Sequence, residues 1–185
     1  MSLTLSDRGL RALVLPGWLD SGPGHWQTRW EALHGYERVQ QDDWTWPRRG
    51  DWMARLDEVL QADPRPAVLL AHSLGCHLVA AWAAHSRHRA LVRAAWLVAP
   101  PDLERVDLPP QLASWRPAIR RPLGLPALLV CSDDDPFASE AASLRLAADW
   151  QVPVWSLPGR GHLNAESGLG DWPEGLQRLE ALLAC

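Results

Sequence analysis

One stretch of five residues, Ala71-His72-Ser73-Leu74-Gly75, constrains this chain more than any other. An apolar run, Val68-Leu69-Leu70, leads into it, and residues 76–82 carry a helical pattern out of it. A strand that turns a one-residue corner into a helix strains the corner residue, so its neighbours have to be small. The stretch reads as a nucleophile elbow of the G-x-S-x-G type, with alanine in place of the first glycine. Gly75 gives the helix room to approach the strand. Ser73 then stands at a helix N-terminus, where free N–H groups and the helix dipole favour negative charge. An oxyanion developing during acyl transfer is such a charge. The plainer reading is an N-cap serine opening an ordinary helix. Partners for a nucleophile elsewhere in the chain decide between the two.

The flanking sequence supplies a scaffold for such a corner. Apolar runs at residues 10–15, 67–71, 92–99, 127–132 and 152–157 read as strands, with a weaker one at 36–41. Helical patterns lie between them. Trp26, Trp30 and Leu33 share one face; Asp51 can cap a helix that buries Trp52, Leu56, Val59 and Leu60, ended by Pro64 and Pro66. Leu78, Val79, Ala81 and Trp82 form the next face, and Ala142, Leu144, Leu146 and Ala147 are available within residues 139–148. Asp171 and Glu174 form a capping-box pattern, with Pro173 in the first turn, ahead of Leu176, Leu179, Leu182 and Leu183. Apolar strands alternating with helices imply an α/β fold, a three-layer α/β/α sandwich around a mostly parallel sheet of about six strands. The pattern fails over residues 100–125. Seven prolines from Pro100 to Pro126 leave room for little more than a short helix near residues 111–115, over or beside the site, and little or no lid.

The 185 residues suffice for one domain, 1–185, with no repeat or linker to divide it. A net charge of −4 with both signs mixed argues against a nucleic-acid partner. No apolar run reaches membrane-spanning length, and residues 1–9 are polar and lack a signal-peptide core. Cys76, Cys131 and Cys185 are odd in number, far apart and without a C-x-x-C pair, so neither a disulfide framework nor a metal site is expected and the cytoplasm is the default location. Twelve tryptophans are many for this length, and most should be core or pocket wall.

A serine nucleophile needs a base and a group to orient that base. Behind an elbow of this type the order is Ser, then Asp or Glu, then His, each in a loop after a strand's carboxyl end. Asp133-Asp134-Asp135-Pro136 follows one strand. Three adjacent carboxylates repel unless something positive is near, and a solvated loop with a helix N-cap accounts for one or two of them. Asp135, directly before Pro136-Phe137, is the preferred acid and Asp134 the alternative; spacing does not separate them. His162, in Gly159-Arg160-Gly161-His162, follows the last strand, and the glycines allow the turns that aim an imidazole inward. The plainer reading is a surface-loop histidine. His72 flanks the nucleophile but points elsewhere, His77, His85 and His88 belong to the next helix and its end, and His25 and His34 lie upstream, with His25 able to wall the pocket. An oxyanion hole needs two backbone donors. Leu74 N–H is one, and Trp18 N–H, in the Gly17-Trp18-Leu19 loop, is the first choice for the other, although Pro16-Gly17 also reads as a plain turn. Gly17, His25, His72 and Trp115 are the expected pocket residues. Indole walls from Trp18, Trp44, Trp46 and Trp115 would make the pocket narrow and favour short acyl groups.

These pieces together resemble the small, lid-poor α/β-hydrolases of the retinoblastoma-binding serine hydrolase and YdeN type. The resemblance rests on Leu15-Pro16-Gly17-Trp18 with His25-Trp26, on His72-Ser73-Leu74-Gly75, on Ser132-Asp133-Asp134-Asp135-Pro136-Phe137 and on Gly161-His162-Leu163-Asn164-Ala165. It spans nearly the whole chain and implies a triad of Ser73, Asp135 and His162 with no metal or cofactor. The expected activity is hydrolysis of a small-molecule ester, thioester or related acyl bond. An acyltransferase with the same triad and a non-catalytic hydrolase fold that binds a protein partner are the alternatives.

Overall fold

The structure, a computed structural model, describes residues 5–184; residues 1–4 and Cys185, and with them part of the polar N-terminal stretch and the third cysteine, lie outside it. Five largely apolar segments and one short charged one pair side by side as β1 (Arg11–Leu15), β2 (Glu37–Arg38), β3 (Ala67–His72), β4 (Val92–Val98), β5 (Ala127–Ser132) and β6 (Val154–Leu157). All five pairings are parallel, and the order across the sheet is β2-β1-β3-β4-β5-β6. Helices α1 (Trp26–His34), α2 (Arg49–Ala62), α3 (Leu74–His85), α4 (Glu140–Trp150) and α5 (Pro173–Ala184) connect and follow the strands.

The period-two alternation of the strands sorts the core into two halves. Leu13, Leu15, Leu69, Ala71, Ala95, Leu97, Leu129 and Cys131 face Trp52, Leu56 and Leu60 of α2, Trp82 of α3 and Trp150 of α4. Val14, Val68, Leu70, Ala94, Trp96, Val98 and Val130 face Trp26 and Trp30 of α1, Trp172, and Leu179 and Leu183 of α5. The result is the three-layer α/β/α sandwich expected from the sequence, with the carboxyl ends of six parallel strands at one edge. Buried Arg11 closes the opposite end of β1, donating to the Val59, Leu60 and Asp63 carbonyls at 3.0, 2.8 and 3.0 Å, where α2 leaves its carbonyls unpaired.

Four local expectations are corrected. The second strand shrinks to two residues, with Val39 turning into the core. Leu33 and Leu144 are exposed, because α1 and α4 each present a narrower stripe to the sheet than the sequence pattern suggests. Arg48, not Asp51, is the N-cap residue of α2, and Asp51 lies in its first turn. The capping box at Asp171 does not form, since α5 begins at Pro173 and the Asp171 carboxylate accepts from Arg29 instead. Among the described residues no helix is long and apolar enough to cross a membrane.

Candidate active site

Ser73 is the corner between β3 and α3, and its backbone sits at φ 54°, ψ −122°. A non-glycine residue there is strained, and the surroundings enforce it. The Ser73 N–H donates to the Val98 carbonyl at the end of β4, 2.8 Å away. A Cβ added to Gly75 would lie 2.2 Å from the Leu15 carbonyl oxygen, and one added to Gly17 would lie 2.7 Å from the Ser73 Cβ. Both glycines are therefore required by close approach of backbone. Gln27, buried in the first turn of α1, ties the ends of β1 and β3 together. Its amide N–H groups donate to the Leu15 and Leu70 carbonyls at 3.1 and 2.8 Å, and its carbonyl accepts from Ser21 at 2.7 Å.

The loops after β5 and β6 leave neighbouring strands at the same edge, and they interlock. Asp133 accepts the Gly159 N–H at 2.8 Å, Ser132 Oγ the Arg160 N–H at 2.8 Å, and Asp134 the Gly161 N–H at 2.6 Å. Ser132 Oγ–H in turn donates to Asp134 at 2.7 Å. These bonds, that of Ser132 first, hold the Asp134 carboxyl below its ordinary pKa. Asp135 completes the series. Its two oxygens accept from His162 Nδ1 at 3.0 and 2.9 Å, and Oδ1 also takes the Phe137 N–H at 2.8 Å. On the other side of the ring, His162 Nε2 lies 3.0 Å from Ser73 Oγ. The His162 and Asp135 side chains are only 9% and 3% exposed, so the pair is shielded from water. The structure thus brings Ser73, His162 and Asp135 into one hydrogen-bonded line and assigns Asp134 to a different task.

Gly17, Trp18 and Leu74 meet beside Ser73. Among the described residues no acceptor is paired with the Trp18 or Leu74 N–H, whereas the next one along, Leu19 N–H, is taken by the Trp44 carbonyl at 3.1 Å. His72 and His25 lie beneath. The His25 ring packs edge-on against His72 at 4.5 Å, and His72 against His162 at 4.8 Å. Burial, then the neighbouring imidazoles, pushes the His72 pKa well below its ordinary value; burial, then His162 and Arg38, lowers that of His25 to about 3. Both are neutral at physiological pH. No group of three or more His, Cys, Asp or Glu side chains among the described residues is arranged to hold a metal ion.

This geometry can be set beside known proteins. The model of the serine hydrolase family matches residues 12–181. The chain belongs to the serine hydrolase family. A crystal structure provisionally assigned as a YdeN-like hydrolase from Pectobacterium atrosepticum is 27% identical, with a TM-score of 0.84 and 95% of this chain and 91% of that one covered. The ydeN gene product of B. subtilis is 18% identical at a TM-score of 0.72, over 95% of this chain and 99% of that one. A carboxylesterase from Bacillus subtilis is 14% identical at a TM-score of 0.63, over 94% and 83%. The last two share the α/β-hydrolase fold. Comparison with curated proteins finds no match.

The hydrolase opens onto Ser73 through a cleft of about 510 Å³. Gly17, His25 and His72 line it, together with Trp18 and Leu74. Trp115 does not. It lies one 3₁₀ turn beyond Leu112, which takes the cleft position, and drops into the core against Trp52 at 5.4 Å with its indole N–H on the Pro47 carbonyl at 2.9 Å. Trp44 also packs on Trp52, and Trp46 points to solvent away from the cleft. Of the four indole walls expected from the sequence, only Trp18 is in place. Leu19, Leu108, Pro109, Leu112 and Phe137 complete an apolar wall beside it. The bracing roles of Gln27, Ser132, Asp133 and Asp134 escape a motif-based reading, which offers Asp134 only as an alternative triad acid. The signal available for the last three was the adjacency of Ser132-Asp133-Asp134 to one strand end and Gly159-Arg160-Gly161 to the next.

Proposed function

We propose that this serine hydrolase is an esterase that cleaves carboxylic esters or thioesters through an acyl-enzyme on Ser73. The observation that carries the reading is the unbroken hydrogen-bonded line from Asp135 through His162 to Ser73 Oγ. His162 accepts the Ser73 proton as Oγ bonds to the acyl carbon, then passes it to the departing alcohol or thiol. A water that follows gives a proton to His162 and attacks the acyl-enzyme, releasing the acid and restoring Ser73. Asp135 keeps the His162 proton on Nδ1 in the resting state and stabilises the imidazolium. The Leu74 and Trp18 N–H groups, without partners among the described residues, would face the carbonyl oxygen as it becomes negative. The buried free thiols Cys76 and Cys131 suit a reducing cytoplasm.

Labelling with a fluorophosphonate and turnover of p-nitrophenyl esters test this reading. The wild type should be labelled and active, and Ser73→Ala should lose both, with kcat reduced by roughly 10⁴- to 10⁶-fold. Retained turnover in Ser73→Ala rejects the mechanism. The apolar cleft wall supports acyl groups beyond the shortest. Each methylene that it covers contributes about 0.8 kcal/mol, or about fourfold in kcat/KM. Activity along the series should rise past butyrate; a maximum at acetate would mean a closed pocket.

A further inference from the structure

Ser73, Asp135, His162 and two backbone N–H groups account for the proposed chemistry, and none of them uses the side chain of His72. Yet His72 is buried and makes a specific contact: its Nε2 lies 2.8 Å from the backbone carbonyl oxygen of His162. A carbonyl only accepts, so His72 is the donor and carries its proton on Nε2. We propose that His72 is a positioning residue, whose Nε2–H tethers the main chain of the base and so fixes its distance from the nucleophile next door. The proposal rests on the reading of Ser73 and His162 given above.

Three features of the chain call for such a tether. His72 is the last residue of β3 and is covalently joined to Ser73, whereas His162 follows β6, with β4 and β5 between the two strands. The His72 bond spans that gap in one step. Second, the base sits in strained backbone. Gly161 and Leu163 on either side of His162 have φ of 53° and 49°, and at Leu163 this left-handed conformation is unfavourable for a side-chain-bearing residue. Such strain persists only where the surroundings over-determine it. Two successive carbonyls are pinned here: that of His162 by His72, and that of Leu163 by the Trp26 indole N–H at 3.1 Å. Third, the His72 ring is itself held. It packs between the rings of His25 and His162, and the His25 ring is fixed in turn by the Gln27 N–H on its Nδ1 at 3.1 Å. Release of the His162 carbonyl would let the peptide between His162 and Leu163 rotate and swing the imidazole off Ser73 Oγ.

The test uses three substitutions. Glutamine places an N–H donor the same number of bonds from Cα as Nε2 of histidine; asparagine stops one bond short, and leucine has no donor. His72→Asn and His72→Leu should lower kcat by roughly ten- to a hundredfold, the cost of misplacing a catalytic group by about 1 Å. KM should stay within about twofold, and His72→Gln should recover most of the loss. The downfield proton resonance of the His162 Nδ1–H to Asp135 bond gives a readout independent of turnover; it should persist in wild type and His72→Gln and broaden or vanish in His72→Asn. Wild-type kcat in His72→Asn, or equal losses in the asparagine and glutamine variants, overturns the proposal. If His72→Leu does not fold, the asparagine–glutamine pair decides alone. Ser73→Ala measured alongside separates the two readings: activity there rejects the nucleophile, while a silent Ser73→Ala with indifferent His72 variants rejects only the tether.

Discussion

The proposed nucleophile, Ser73, and the loop of the proposed base, His162, are held in place by different physics. At the elbow, position comes from hard contact. Ser73 is strained, and the chain on either side leaves no space even for a methyl group at Gly17 or Gly75. In the base loop, position comes from side-chain acceptors that catch consecutive N–H groups of Gly159, Arg160 and Gly161, two of the three acceptors being carboxylates. Close packing is indifferent to proton concentration and yields only to added volume. Hydrogen bonds to charged groups near the surface depend on ionisation and yield to loss of an acceptor. One half of the site is thus mechanically set and the other chemically set.

The largest effect should come where the chemically set half meets the reaction. Asp135→Asn should reduce kcat by roughly 10⁴-fold, because asparagine favours the wrong imidazole tautomer and leaves the imidazolium uncompensated. Steady-state kinetics of Asp135→Asn and Asp134→Asn side by side check this, and the second variant should lose less than about tenfold. The mechanically set half should fail differently. Gly75→Ala drives a Cβ into the Leu15 carbonyl and should cost about 3 kcal/mol or more, visible in urea titrations as a lower midpoint at an unchanged slope. Asp134→Ala removes the acceptor of Gly161 N–H and Ser132 Oγ–H and should lower kcat by roughly tenfold through a looser base loop, with KM nearly constant.

The smallest expected effect separates the two halves by pH. The Asp134 carboxyl titrates below its ordinary value of 3.8 in the folded protein. Its contribution to stability is therefore complete above the unfolded value and is lost as pH falls through the folded one. The stability difference between wild type and Asp134→Ala, from denaturant melts, should be flat from pH 7 to about 4 and shrink below that. The difference for Gly75→Ala should not change over the same range.

What the sequence made legible follows from the same contrast. Hard contact leaves small residues at fixed spacings, so Ser73, Gly75 and the elbow can be read directly, and period-two strands reveal the sheet. The order of Asp135 and His162 after strands comes with the fold. Side-chain to main-chain bonds leave no periodicity, so the tasks of Asp133 and Asp134 beside Asp135 stay hidden until the neighbouring strand end is placed next to them. Trp115 was out of reach for another reason. Within the Pro-rich connection a 3₁₀ turn carries it away from Leu112 and into the core, and propensity alone does not orient such a turn. The expected indole pocket failed at that residue and at Trp44 and Trp46, whose loop turns its rings toward α2 and solvent.

The strand that delivers His162 is the last one in the sheet. Among the described residues β6 pairs only with β5 and is incompletely buried, while β3, which carries Ser73 at its end, is fully buried and paired on both sides. The margin of a sheet opens at lower free energy than its middle. A fluctuation that lifts β6 should carry His162 away while the rest of the core stays shut. Activity should therefore be lost and regained more often than the whole chain unfolds, and the heat tolerance of the catalyst should be set at the rim rather than at the centre.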